Sequence, residues 1–308
     1  MLSPAPLREG DKVAIISPAS IVKREYIDGA ADFLRHHGLC PVLSPHVSGP
    51  ESGSYSSSLA NRTNDLLSAL ADPEIRAILC ARGGYGCVHL LPSLRKKQIR
   101  DAAKWLIGFS DVTALHAIWQ SAGVMSIHGP MAKHLTLHPD DESSRSLLYL
   151  LFNADRMHYV FEGSPLNREG KSEGVLRGGN FAVFNNLAGT DCDPLTGANN
   201  EATILFIEDI SEAIYEVERM LMRMYLGGIL QRLKGIMIGN FTDYKADRNH
   251  SSMEEMIDGL LMRLGIDNIP VAFGVPVGHS DVNYPLVMGD TVSLEVSKEK
   301  VILQSEIL

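Results

Sequence analysis

Short apolar, β-branched runs alternate with amphipathic stretches through the first half of the chain, the pattern of a parallel α/β sheet. "KVAIISPAS" (12–20) predicts a first strand and "REYIDGAADFLRHHG" (24–38) a helix closed by Gly38. "CPVLSP" (40–45) gives a second strand. "LANRTNDLLSALADP" (59–73) sets Leu59, Leu66, Leu67 and Leu70 on one side of a helix. "IRAILCARGGYG" (75–86) reads as a buried strand running into a glycine turn. "KWLIGFS" (104–110) is another strand, followed by the helical "DVTALHAIWQSAG" (111–123). Strand-like "VMSIHGP" (124–130) and a helix over 143–154 complete this half.

The pattern then changes. "FEGSPLNREGKSEG" (161–174) is polar, glycine-rich and without periodicity, which marks a linker between an N-terminal domain, 1–160, and a C-terminal domain, 175–308. Around and beyond it lie "EGVLRGGNFAVFNNLAGT" (173–190), the strand "ATILFIED" (202–209) and a long helix from Ser211 to about Leu233. A strand at 234–241, a helix at 252–265 and strand-like pieces from Pro270 onward follow.

Composition adds little to the fold but narrows the partners. The chain has 308 residues, 45% hydrophobic and 21% charged, enough for a sizeable core without disulfide or metal staples. A net charge of -9 argues against nucleic acid as a partner, because no basic surface is clustered to neutralise phosphates. The longest basic cluster, "LRKKQIR" (94–100), reads as a solvated surface turn. Cys40, Cys80, Cys87 and Cys192 form no CxxC pair and read as buried, reduced thiols. The first apolar run, "VAII", is too short for a signal peptide, and no stretch approaches the ~20 apolar residues of a membrane span. The expectation is a cytoplasmic protein with no membrane partner.

Ser110 in "IGFSDVT" (107–113) sits where a buried strand gives way to a helix. Such a turn pushes the hydroxyl outward beside the first helical amides, as in a nucleophile elbow. The second glycine of G-x-S-x-G is missing, however, and on the local sequence a plain N-cap by Ser110 or Asp111 is the favoured reading over a nucleophile. "ARGGYG" (81–86) also follows a buried strand. It fits a substrate or oxyanion loop, a bare tight turn or, with less support from its glycine spacing, a dinucleotide loop.

A serine nucleophile needs a base and an orienting acid. Among eleven histidines, His279 stands out in "FGVPVGHSDVNYP" (273–285), on a loop bracketed by glycine and proline. His36 and His37 lie on a helix face and His116 within an amphipathic helix. His134 and His138 are four apart, but Pro139 follows and no HExxH glutamate is present, so they read as a surface pair and no metal is expected. Glu208 ends an apolar strand in "ILFIEDISEAIYEVERML" (204–221), either as a helix-start residue or as a functional carboxylate, since Asp209 can cap by itself.

Taken together these stretches resemble the L,D-carboxypeptidases of peptidase family S66, which include murein tetrapeptide carboxypeptidases and microcin C immunity peptidases. "SPAS" (17–20), "ARGGYG", "IGFSDVT", "IHGP" (127–130), "LRGGNFAVFNNLAGT" (176–190), "LFIEDISEAIYEVERML" (205–221) and "GVPVGH" (274–279) carry the match in one order along nearly the whole chain. The resemblance implies an N-terminal flavodoxin-like α/β domain with a parallel sheet and a smaller C-terminal β-rich α/β domain, with the active site between them. It implies Ser110 as nucleophile, His279 as base, Glu208 as its acid, and the amides of Gly84 and Asp111 as the oxyanion hole. Glu212, four residues on, is the poorer candidate for the acid. No cofactor is implied. The expected substrate is a muropeptide, the murein tetrapeptide, cut before its terminal D-alanine during cytoplasmic peptidoglycan recycling, by a homodimer.

Other function classes lead to different expectations. A microcin C immunity-type hydrolase of aminoacyl-nucleotide amides needs an aromatic platform for the base, and both tryptophans, Trp105 and Trp119, lie in the first half. A non-catalytic muropeptide-binding protein would have no use for Ser110, Glu208 and His279 together. A nucleotide-dependent oxidoreductase would require a dinucleotide fingerprint, which is absent.

Overall fold

Among the residues that the computed structural model describes (1–49, 53–153, 157–195 and 201–306), thirteen strands form two sheets. Strands β1 (Lys12–Ile16), β2 (Cys40–Leu43), β3 (Ile75–Cys80), β4 (Trp105–Gly108) and β5 (Ser126–His128) pair in parallel in the order β2-β1-β3-β4-β5. That is the flavodoxin-like order, with helices such as Arg24–His36 and Leu59–Ala71 as crossovers. The second sheet uses β6 (His158–Glu162), β7 (Gly170–Asn180), β8 (Thr203–Ile210), β9 (Gly235–Thr242) and β10 (Val271–Gly278). After β11 (Leu286–Met288), it is completed by β12 (Thr291–Val296) and β13 (Lys300–Ser305), in the order β10-β9-β8-β7-β12-β13-β6. The fold class is α/β, a flavodoxin-like parallel sheet followed by a β-rich α/β part.

The central strands of each sheet are buried on both faces. In β3, Ile78, Leu79 and Cys80 are buried, and in β8 so are Ile204 through Ile207. This explains why they read as continuous apolar runs rather than alternating ones. The two sheets are interlaced in sequence. β6 pairs with β13 of the second sheet, while β11 returns to the first and runs antiparallel along β5.

Several local expectations are corrected. The polar stretch 161–174 is not wholly irregular, because β7 begins at Gly170 and forms a ladder with β12. Its first residues are mostly solvent-facing, so no apolar period marks them. The long helix after β8 spans only Ile214–Leu226; it ends at Gly227 and Gly228, the latter with φ 69°, before a short 3-10 turn. "LRKKQIR" is mostly helix, Lys96–Ala102, with Ile99 buried beneath its charges. Cys80 and Cys87 are buried, but Cys40 is exposed and Cys192 partly so. Cys40 lies on the edge strand β2, whose burial alternates. No helix among the described residues is long and apolar enough to cross a membrane.

Candidate active site

Three loops meet at the carboxyl ends of β1, β3 and β4, where strand order reverses and ligands of open α/β sheets bind. "SPAS" leaves β1, "ARGGYG" leaves β3, and "FSDV" leaves β4. Arg62, buried on the helix Leu59–Ala71, ties two of them together, donating from Nη1 to the carbonyls of Pro18 at 2.7 Å and Gly86 at 3.1 Å. Nothing in the sequence singles Arg62 out beyond its place on an otherwise ordinary amphipathic helix. Ser20 completes the clamp, its amide donating to Gly83 O at 3.1 Å and its Oγ accepting from the Tyr85 amide at 3.2 Å.

Ser110 has φ 64°, a left-handed backbone that a non-glycine residue adopts at a cost of about 1–2 kcal/mol. The turn is tight because Gly108 brings the chain onto its neighbours. A Cβ there would lie 3.1 Å from Cys80 Cβ and from both Val112 methyls. A 3-10 turn, Ser110–Val112, leads directly into the helix Thr113–Ser121. The capping alternative fails, since neither turn nor helix has a side-chain N-cap hydrogen bond. The buried Asp111 instead turns its Oδ2 to the Cys87 amide at 2.8 Å. Burial raises its pKa, opposed in part by that Cys87 bond.

Gly83 lies directly over the serine. A Cβ on it would stand 2.9 Å from Ser110 Cβ and 3.1 Å from the Asp111 amide nitrogen. Gly83 and the Asp111 amide therefore flank the same space beside Ser110. Gly84, at φ 98°, has its α-carbon against Ser20.

From the second sheet, β8 delivers Glu208, which is fully buried. Its Oε2 accepts a hydrogen bond from His279 Nδ1 at 2.7 Å. The loop carrying His279 passes this close because Gly278, at φ 113°, has no side chain: a Cβ there would lie 2.6 Å from Glu208 Oε2. Burial lowers the His279 pKa, but the hydrogen bond and the charge of Glu208 outweigh it, so the net shift is upward. The ring of Phe109, the residue before Ser110, packs 4.9 Å from the His279 ring, which brings imidazole and serine turn together. Among the described residues no hydrogen bond joins Ser110 to His279; with Nδ1 engaged by Glu208, Nε2 is the nitrogen available to it.

The neighbouring acids have other work. Asp209 accepts from the Ala182 amide at 2.7 Å and from Asn180 Nδ2 at 2.8 Å, so it supports the first turn of the helix Phe181–Asn186, whose N-cap is Asn180, rather than the one after β8. Burial raises its pKa to about 6. Glu212 lies next to Glu216, with its pKa raised to about 7 by burial, Asp209 and Glu216. The "RGGN" segment of β7 joins the two sheets behind the serine. The Asn180 amide donates to Thr113 Oγ1 at 3.0 Å, and a Cβ on Gly179 would lie 2.7 Å from that same oxygen.

Two histidines that the sequence did not single out line this region. His116 is buried and donates from Nε2 to Gly108 O at 2.8 Å, with Nδ1 accepting from Ser126 Oγ at 2.8 Å. That places the proton on Nε2. Burial pushes its pKa down to about 4, so it holds the serine turn as a neutral ring. His128, in "IHGP", is fully buried between Phe109 and Phe206, and burial holds its pKa well below the usual imidazole range. The sequence signal for His128 was its place at the end of β5, whereas His116 showed only as one more residue of the helix Thr113–Ser121. His134 Nε2 lies 2.9 Å from Asp141, its ring 5.3 Å from that of His138. Among the described residues no group of three or more His, Cys, Asp or Glu is placed to hold a metal ion. Trp105 and Trp119 are fully buried, so neither offers a stacking face.

Known proteins resemble this chain along most of its length. The LD-carboxypeptidase N-terminal domain matches residues 13–129, and the LD-carboxypeptidase C-terminal domain matches residues 173–294. A murein tetrapeptide carboxypeptidase of Pseudomonas aeruginosa is 31% identical over 293 residues, covering 92% of this chain and 93% of its own length. The crystal structure of a muramoyltetrapeptide carboxypeptidase from Oxalobacter formigenes superposes with a TM-score of 0.84 at 25% identity, over 96% of this chain and 99% of that one. The microcin C7 self immunity protein MccF in its wild-type apo state superposes with a TM-score of 0.86 over 100% of both chains, at 23% identity, a likeness of fold.

Proposed function

The chain belongs to the LD-carboxypeptidase family of peptidases, and from that premise we propose that it is a serine L,D-carboxypeptidase releasing the terminal D-alanine of murein tetrapeptide. The observation that carries this reading is the 2.7 Å bond between Glu208 and His279, on an imidazole packed against the residue before Ser110. Ser110 Oγ attacks the carbonyl carbon of the L,D amide while His279 Nε2 takes its proton. Glu208 fixes the tautomer and stabilises the imidazolium. The amides of Gly84 and Asp111 receive the oxyanion. On collapse the C–N bond breaks, and His279 returns the proton to the amine of the departing D-alanine. Water, deprotonated by the same imidazole, then frees the remaining peptide from Ser110.

Cytoplasmic recycling of peptidoglycan and a homodimeric assembly belong to the same proposal and rest on the family resemblance. A hydrolase of aminoacyl-nucleotide amides draws less support, because both tryptophans are buried away from any base.

The test is mass spectrometry of free tetrapeptide incubated with the protein, beside a control peptide ending in L-alanine. Loss of one alanine from the tetrapeptide alone is the expected result. An intact tetrapeptide, or equal cleavage of the control, overturns the proposal.

A further inference from the structure

A cavity of about 690 Å³ opens beside His279 and Phe109. In a chain with 37 acidic and 28 basic residues, its lining is the reverse: Lys23, Arg82 and Lys133 against the single acid Asp281. A cationic pocket in an anionic protein concentrates an anionic ligand. Resting on the carboxypeptidase reading above, we propose that Arg82 and Lys133 form the subsite for the free terminal carboxylate of the peptide.

The placement of Arg82 carries the argument. It immediately precedes Gly83, whose α-carbon lies over Ser110 and the Asp111 amide. Consecutive α-carbons are ~3.8 Å apart, so Arg82 adjoins the glycine over the serine, and its side chain lines the cavity that His279 and Phe109 share, on the side where the reading above puts the scissile carbonyl. The terminal carboxylate is likewise one residue beyond that carbonyl. One arm of the guanidinium is anchored, Nη1 donating to Ile21 O at 2.6 Å, and among the described residues Nε and Nη2 have no hydrogen-bond partner, so they can meet a carboxylate side-on. Lys133, on the helix Ala132–Leu137, is exposed and has no ion-pair partner among the described residues. Lys23, by contrast, lies 3.5 Å from Glu25. Arg82 therefore supplies direction, and Lys133 a second positive charge on the same cavity.

Such a subsite makes the enzyme an exopeptidase by rejecting peptides whose terminal carboxylate is blocked. The experiment compares kcat/KM for tetrapeptide and its C-terminal amide, in the wild type, in Lys133→Met and in Arg82→Met. Each substrate is prepared with diaminopimelate and with lysine at the third position. The expected wild-type preference for the free acid is about 10²-fold, the size of a lost charge-assisted hydrogen-bond pair. It should shrink at least fivefold in each variant, and lysine peptides should show the same loss. Lys133→Met removes no described contact, so a misfolded Arg82→Met cannot hide the answer. Equal wild-type cleavage of acid and amide overturns the subsite while leaving the carboxypeptidase reading intact. An unchanged preference in Lys133→Met and a folded Arg82→Met overturns the assignment of these residues. A loss confined to diaminopimelate peptides assigns the pocket to the side-chain carboxylate and also overturns the proposal. No cleavage of either peptide overturns both readings.

Discussion

Glu208 and His279, 71 positions apart in sequence, meet at 2.7 Å, with the carboxylate fully buried and the imidazole at the edge of a cavity. The base must be neutral to accept a proton, and its pKa is raised by Glu208 against the opposing effect of burial. Activity is therefore expected to fall on acidification with a midpoint above the ~6.5 of an ordinary imidazole. Glu208→Gln removes the charge, so its midpoint should move to lower pH and its plateau rate drop by about 10²-fold or more. A pH profile of kcat/KM for both proteins checks this. A wild-type midpoint below 6.5, or no movement in the variant, contradicts it.

Gly83→Ala tests the close approach over the serine. Gly83 has no left-handed backbone to preserve, yet an added methyl would crowd Ser110 Cβ at 2.9 Å and the Asp111 amide at 3.1 Å. The expected result is a fall in kcat of about 10²-fold, comparable to losing an oxyanion donor, with secondary structure by circular dichroism retained. Wild-type turnover in the alanine variant would remove this space from the mechanism.

Ser110 holds its left-handed backbone at the expense of stability. Ser110→Gly should be more stable than Ser110→Ala by about 1 kcal/mol in urea denaturation, because only glycine is unstrained at φ 64°. Equal midpoints and slopes for the two variants would mean the turn is not strained in solution.

His116 is buried as a neutral ring with its pKa near 4, and that of His128 is also depressed. The unfolded chain binds protons at these sites near pH 6.5, the folded chain only further down. The stability they contribute is thus complete above about pH 6.5 and is lost as pH falls below it, by roughly 3 kcal/mol for His116 on reaching pH 4. Melting temperatures at pH 7.5 and 5 should show a smaller drop for His128→Leu than for the wild type. An equal drop would show that His128 does not couple folding to protons.

Much of this was legible in the sequence because apolar runs set the strands. β1, β3, β4 and β8 are largely buried, and each ends in the motif that reaches the site. Ser110, Glu208 and His279 could be picked out as strand-end or loop residues with reactive side chains. The backbone angle of Ser110 and the Phe109 contact could not, since both depend on packing between distant segments. Arg62 was hidden for a similar reason: its partners are carbonyls of other loops, and carbonyls carry no residue signature. Asp209 looked like a cap for the helix that follows it, but its carboxylate accepts from the Ala182 amide in the helix after β7, a contact between distant segments. The start of β7 was lost because its polar residues face solvent on an antiparallel ladder.

The central claim, that Ser110 is the nucleophile activated by His279, is tested most directly by the rate of D-alanine release from tetrapeptide by purified Ser110→Ala beside the wild type. Ser110 is only partly buried, so the variant should fold, and its structure can be checked by circular dichroism. The expected result is a fall in kcat of about 10³-fold or more, leaving the residual turnover that oxyanion stabilisation alone supplies. A folded Ser110→Ala that keeps more than about a tenth of wild-type kcat, far above that residual level, would contradict the account.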